Sequence, residues 1–207
     1  MAILFTDGTT YSNTKLDMIN DCLLSIGEMP YPTGTLITDI QTGEDGDVAR
    51  RMIEETMIEV QSRGWYFNTD YNYRFVPTDK FITLPGNVLR VDLYDKRYTL
   101  RGKRIYDKEA FSFQLDDTSE LFGDIIWLVD YEDLPPNAYN YIAMRSARKF
   151  QQKVIGSSEL ASFTQLDEQD ALINMQREHM QYQDYNIRAK ELSRHSNVYL
   201  KGGVYGK

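Results

Sequence analysis

The chain has 207 residues, a formal net charge of −8, and 42% hydrophobic against 26% charged residues. This length supports one core, or one core with a small satellite, and the hydrophobic content excludes a disordered chain. The excess of acid argues against a protein that wraps nucleic acid, because affinity for phosphate comes largely from cations.

A lone cysteine, Cys22, cannot form an internal disulfide, so we expect a reducing compartment and synthesis in the cytoplasm. The first residues lack a basic segment followed by a long apolar run. No stretch approaches the roughly 18 apolar residues of a membrane span. We therefore expect neither export by a standard signal nor insertion in a membrane.

Two helices are predicted in the first third of the chain. Thr14 is a plausible N-cap for a helix that ends near Gly27, with Leu16, Ile19 and Leu23 on one face. After an irregular connection, acidic residues at positions 44, 45 and 47 complement the free N–H groups at the start of a second helix. That helix is predicted to run to about Gly64.

Residues 70–131 are predicted to form several short antiparallel strands. Aromatic and polar residues alternate from Tyr71, and the segment 81–84 is rich in β-forming residues. Leu100–Lys103 is typical of a hairpin turn, and the apolar run 125–131 suits a buried strand.

Two further helices are predicted after this insert. Pro135 and Pro136 suit the first turn of the third, which Gly156 closes. The fourth begins at Ser157 or Ser158 and extends to about Leu192. Its apolar residues are Leu160, Phe163, Leu166, Leu172, Ile173, Met175 and Met180. The prediction is an α+β chain: a mainly α-helical bundle (1–69 and 132–191), an inserted antiparallel β domain (70–131), and a flexible C-terminal arm (192–207).

Few residues suggest catalysis. Cys22 could be a thiol nucleophile, but a small core residue is the commoner role of a free cysteine. A solvated imidazole is the expected state of His179, and His195 lies in the predicted arm. The segment 45–47 lacks the spaced ligands of a calcium loop, so helix capping explains it better. No catalytic, metal or cofactor site is predicted; an enzyme with an unrecognised acidic site is the alternative.

Charge is unevenly distributed along the chain. Residues 159–191 carry seven acids against three bases, whereas the insert concentrates cations around a single acid, Asp107. These cations are Lys96, Arg97, Arg101, Lys103, Arg104 and Lys108. Patches of opposite sign would let copies of the chain dock head-to-tail, which makes the first five of these candidate interface residues. The alternative is that cations on edge strands discourage aggregation.

Several segments resemble one known family. In chain order they are residues 16–30, which contain SIGE at Ser25–Glu28; residues 49–51; Gln61–Asn68, which read QSRGWYFN; Phe81–Pro85; Tyr131–Pro135; and Ala147–Phe150. Together these strings resemble tail tubular protein A, the head-to-tail adaptor of short-tailed bacteriophages. The order is kept from about residue 14 to residue 190.

The resemblance implies a structural virion protein and no enzyme. It implies a dodecameric ring in the neck of the tail, made in the host cytoplasm, that joins the portal protein to the tail nozzle protein, tail tubular protein B. It also implies a seat for tail fibres and a lumen through which viral DNA passes without sequence-specific binding. A related connector that completes the head is the milder alternative.

The family strings are interpreted as architecture. Gly27 and Gly64 suit the left-handed backbone that ends a helix, and Trp65 and Phe67 then anchor the start of the insert.

Arg50, Arg51 and Arg63 are candidates for contact with another subunit. Pairing within the chain to glutamates 54, 55 and 59 is the plainer alternative. In the arm, Lys201 and Tyr205 are candidates to reach a neighbour or the portal.

Overall fold

The computed structural model of the chain describes residues 14–116, 120–156 and 165–182, and the backbone of two short strands before them. Its helices are α1 (Lys15–Ser25), α2 (Asp45–Gln61), α3 (Pro136–Val154) and α4 (165–182). The strands are β1 (Ile3–Leu4), β2 (Thr10–Tyr11), β3 (Thr69–Phe75), β4 (Val88–Leu93), β5 (Tyr98–Arg101), β6 (Arg104–Asp107) and β7 (Leu121–Trp127). The predicted α+β class is confirmed.

The ends of α1 follow from its sequence. The Thr14 hydroxyl accepts a hydrogen bond from the Asp17 N–H at 3.1 Å, which caps the first turn as predicted. Beyond the last turn, Gly27 has φ +81°, and the Glu28 N–H bonds back to the Leu23 carbonyl at 3.0 Å. The predicted capping and the left-handed glycine are both confirmed.

Helices α1, α2 and α3 form the bundle, and each packs against the other two. The first turn of α3 holds Pro136, where a missing N–H costs nothing. Helix α4 adds Ala171 and Met175 to the same core. The largest fully buried side chains of this core include Met18, Ile53, Tyr141, Ile142 and Phe150.

Strands β3, β7 and β4 form an antiparallel sheet with β7 in the middle. Gly123 of β7 lies so close to β4 that a Cβ there would approach the Asp92 carbonyl oxygen to 2.5 Å. The sequence predicted a strand over 125–131. The observed β7 begins four residues earlier and ends at Trp127.

The predicted hairpin is confirmed: β5 pairs with β6 across a turn at Gly102 and Lys103. It encloses a second apolar cluster with the three-stranded sheet. The segment 81–84 contributes Ile82 and Leu84 to this cluster, but it forms isolated bridges and not the strand its composition suggested.

The helical core and this second cluster are separate groups of buried residues. The predicted domain boundaries at 69/70 and 131/132 stay a prediction. Helix four is confirmed over 165–182, and its predicted ends lie outside the described residues. Within the ranges given above, no helix combines the length and apolarity that crossing a membrane requires.

Candidate assembly surfaces

The arginines at the start of α2 are held by a buried acid of the same helix. Asp47 is almost inaccessible, and its two carboxylate oxygens accept bonds from Arg50 and Arg51, each at 2.5 Å. The Gly43 N–H adds a third bond at 3.3 Å. These three hydrogen bonds lower the pKa of Asp47 to about 2, and the bond from Arg50 has the largest effect.

The predicted pairing of these arginines within the chain is partly wrong. Arg50 does reach Glu54, at 3.1 Å, but Arg51 bonds Asp47 and not Glu55. Glu59 is taken by Arg145 and Lys149 of α3. Tertiary packing brings these α3 cations closer to Glu59 than helical spacing brings Arg63.

Arg63 lies exposed at the end of α2, beside a cleft of about 120 Å³ between that helix and the sheet. Arg90 and Asp124 line the same cleft. Arg63 forms no ion pair with any residue of the described ranges, so its charge is available to another chain.

Two of the predicted cations of the insert are used within the chain. Arg97 makes a forked contact with the buried Asp107 carboxylate, with Nε 2.9 Å from both oxygens. This contact and the N–H groups of Glu109 and Ala110 hold the pKa of Asp107 well below its usual range. Lys96 pairs with Asp92 at 2.6 Å on the open surface.

Three further cations of the insert project from the β5–β6 hairpin, and we call Arg101, Lys103 and Arg104 the basic hairpin tip. All three are exposed, and none forms an ion pair with a described residue. The Arg101 guanidinium lies 3.7 Å from the Tyr106 ring centroid, and that of Arg104 lies 5.1 Å from the ring centroid of Phe81. Ring contacts of this kind orient a guanidinium and leave its N–H groups free for an anion.

A buried polar network joins the end of α2 to the two segments where the chain enters and leaves the insert. This network was not predicted from the sequence. The Gln61 side chain donates to the Val129 carbonyl at 2.9 Å and accepts from its N–H at 2.8 Å. Asn68 donates to the carbonyls of Gln61 and Trp127, and accepts from the Trp65 N–H. Both residues lie in the string QSRGWYFN, which was the available signal. The expected left-handed Gly64 is confirmed. Trp65 and Phe67, expected to anchor the start of the insert, pack in the helical core, where Trp65 is buried and Phe67 partly buried.

Helix α4 is attached to the bundle by ion pairs as well as apolar contacts. Glu168 is buried and accepts bonds from Arg145, at 2.6 Å, and from Arg148. Glu178 accepts from Asn137 at 2.9 Å. The prediction of a solvated His179 is wrong: its ring lies against Trp65, and Nδ1 accepts from the Tyr66 N–H at 3.1 Å. Burial lowers the pKa of His179.

The expected acidic surface on helix four is smaller than its sequence suggested, because Glu168 is buried in ion pairs with α3. Asp167 and Asp170 are exposed and form no ion pair with described residues. The predicted arm lies outside the described residues, with His195, Lys201 and Tyr205. The acids of helix four that follow residue 182 lie outside them as well.

The catalytic candidates are placed as packing residues. Cys22 is fully buried, and burial raises the pKa of its thiol to about 12, far above the range in which thiolate forms at neutral pH. Among the described residues, no group of three histidine, cysteine or acidic side chains is arranged to hold a metal ion.

A family model described as tail tubular protein matches residues 16–185, most of the chain and all four helices in part or whole. The chain belongs to the tail tubular protein family of phages. It is therefore a structural component of a phage tail. No curated protein sequence matches this tail tubular chain.

The family match covers both apolar clusters, the polar network at Gln61 and Asn68, and the basic hairpin tip. The tail tubular chain therefore has two packed apolar clusters and charged outward surfaces.

Proposed function

We propose that this chain is the adaptor subunit of a short phage tail, forming a ring of twelve copies that joins the portal protein to the tail nozzle protein. The family match carries the proposal, since a tail tubular protein acts by assembling with other tail proteins. In the virion it would lie in the neck, support tail fibres and surround a passage for DNA.

The unpaired charges of the described surface support head-to-tail assembly. The basic hairpin tip and Arg63 present cations, whereas Asp167 and Asp170 of α4 present acids on a different part of the chain. Complementary patches at separate sites on one subunit make a heterologous contact, which closes into a ring when the rotation permits.

The same acidity suits a passage for DNA. A net charge of −8 repels phosphate, so a wall built from this chain would offer passing DNA few adhesive contacts. The role is positional: the chain supplies a surface and a shape and catalyses no reaction.

Particle mass, measured on the purified chain alone and mixed with portal protein, tests this function. We expect a ring-sized particle or a portal complex. Lys103→Glu should lower the yield of that particle, whereas the same substitution at Lys153, an exposed lysine at the end of α3, should not. A chain that stays monomeric and shows no affinity for portal would refute the adaptor role.

The C-terminal residues are proposed to contribute to the same assembly through Lys201 and Tyr205. A chain truncated after Leu192 should keep the stability of the monomer and associate less well with the ring or portal. Undiminished association of the truncated chain would exclude this contribution.

A further inference from the structure

Helix α4 carries apolar residues on two opposite sides, although its sequence was interpreted as one apolar set. At 100° per residue, Glu168, Ala171 and Met175 point toward the bundle, and all three are buried. Leu166, Ile173 and Met180 point the opposite way and are 63%, 42% and 55% exposed. We call these three residues the outer stripe of α4.

The spacing of the outer stripe is that of a helix-packing seam. Its members are seven residues apart, and the sequence continues this spacing with Ile187. Single exposed apolar residues are ordinary on a protein surface, whereas residues seven apart form a line along the helix that a second helix can cover; here they fill one of the two apolar positions of a coiled-coil heptad. A heptad repeat matches a nearly parallel or antiparallel helix, because the seam then stays in register along both partners.

The charges beside the stripe select the partner and its direction. Asp170 and Arg177 flank Ile173 on the same side of α4, both exposed, and neither is ion-paired with a described residue. When two copies of α4 run antiparallel about a centre just after Ile173, Asp170 of each copy lies level with Arg177 of the other. In a parallel pair the charged flanks of the two copies would lie on opposite sides of the seam, so neither attractive pair would form.

We propose that the outer stripe binds the outer stripe of a second copy of this chain, as an antiparallel helix pair with two-fold symmetry. The contact is isologous, so it differs from the head-to-tail contact of a ring and does not depend on the adaptor role. It covers the stripe in chains that have not joined a tail. The described part of α4 is about 27 Å long at 1.5 Å per residue, which is short for an interface, so the dimer is weak and depends on concentration.

Sedimentation of the full chain over a range of concentrations, without portal protein, tests the pairing. We expect a monomer–dimer equilibrium. Ile173→Ser should raise its dissociation constant at least tenfold, because the residue lies at the centre of the seam. Ile58→Ser is the matched control, since Ile58 is an exposed isoleucine of α2 (48%) away from the stripe, and it should leave the equilibrium unchanged.

Charge reversal tests the antiparallel register. Asp170→Arg alone and Arg177→Asp alone each replace two attractive pairs by two repulsive ones, and each should weaken the dimer about tenfold. The double variant Asp170→Arg/Arg177→Asp restores both pairs and should dimerise within about twofold of the original chain.

Three results would overturn the proposal. They are a chain that is monomeric at every concentration, a dimer that Ile173→Ser leaves intact, and a double charge variant as weak as the single ones. The first would mean that a different protein surface covers the stripe, and the third that the two helices do not pair in the antiparallel register. Ring formation with portal protein that still responds to Lys103→Glu would leave the adaptor role standing in each case, so the two proposals fail separately.

Discussion

The polar network around Gln61 makes a strong prediction about stability. Gln61→Met keeps a side chain of similar length and removes only the amide, so both hydrogen bonds to Val129 are lost. Because Gln61 is completely buried, water does not replace them. Each buried bond contributes about 1–1.5 kcal/mol, which gives a loss of about 2–3 kcal/mol in the free energy of unfolding.

Urea unfolding followed by circular dichroism measures this loss of free energy directly. In thermal unfolding, 1 kcal/mol corresponds to about 2–4 °C for a chain of this size, so we expect the melting temperature to fall by about 4–12 °C. Gln152→Met is the control, because Gln152 is an exposed glutamine of α3 and its replacement should change stability by less than about 0.5 kcal/mol.

The location of the damage is as specific as its size. Val129 follows β7, where the chain returns from the insert to the bundle, so Gln61→Met should lose hydrogen-exchange protection at the Val129 amide first. A variant that is as stable as the original chain, or that loses protection uniformly, would refute the view that Gln61 fastens this crossing.

Three further substitutions test other parts of the structure. The pKa of Asp47 is lowered to about 2, so its stabilisation is complete above about pH 4 and is lost as the pH falls toward 2; Asp47→Asn should flatten this part of the urea-midpoint profile. Gly123→Ala should cost about 1–3 kcal/mol in thermal unfolding, because its Cβ would meet the backbone at Asp92. Glu168→Gln should cost about 2–3 kcal/mol and expose α4 to hydrogen exchange, since two arginines lose their carboxylate.

Local sequence determined the elements whose causes lie within a few residues. The cap at Thr14, the left-handed glycines 27 and 64, and the β5–β6 hairpin all depend on contacts between near neighbours in the chain. Capping groups and turns act over three or four residues, so their patterns can be seen directly in a sequence. The α+β class followed from them.

The choice of partner among charged and polar groups was decided by the tertiary structure. Gln61 meets Val129 across 68 positions, and Glu59 meets Arg145 across 86. Helical spacing ranks only the neighbours on the same helix, so it offered Glu59 to the arginines of that segment and missed Arg145 and Lys149. A buried acid such as Asp47 is likewise recognised only when packing removes water from it.

Helix α4 shows the same division on a single element. Its sequence determined that the helix is rich in apolar residues, which period and composition suffice to show. Only the docking of α4 on the bundle decided that Met175 is buried and Ile173 exposed. The docked side is the one that carries Glu168, which pairs with Arg145 and Arg148. Hydrophobicity is a property of the residue, whereas burial is a property of its neighbours.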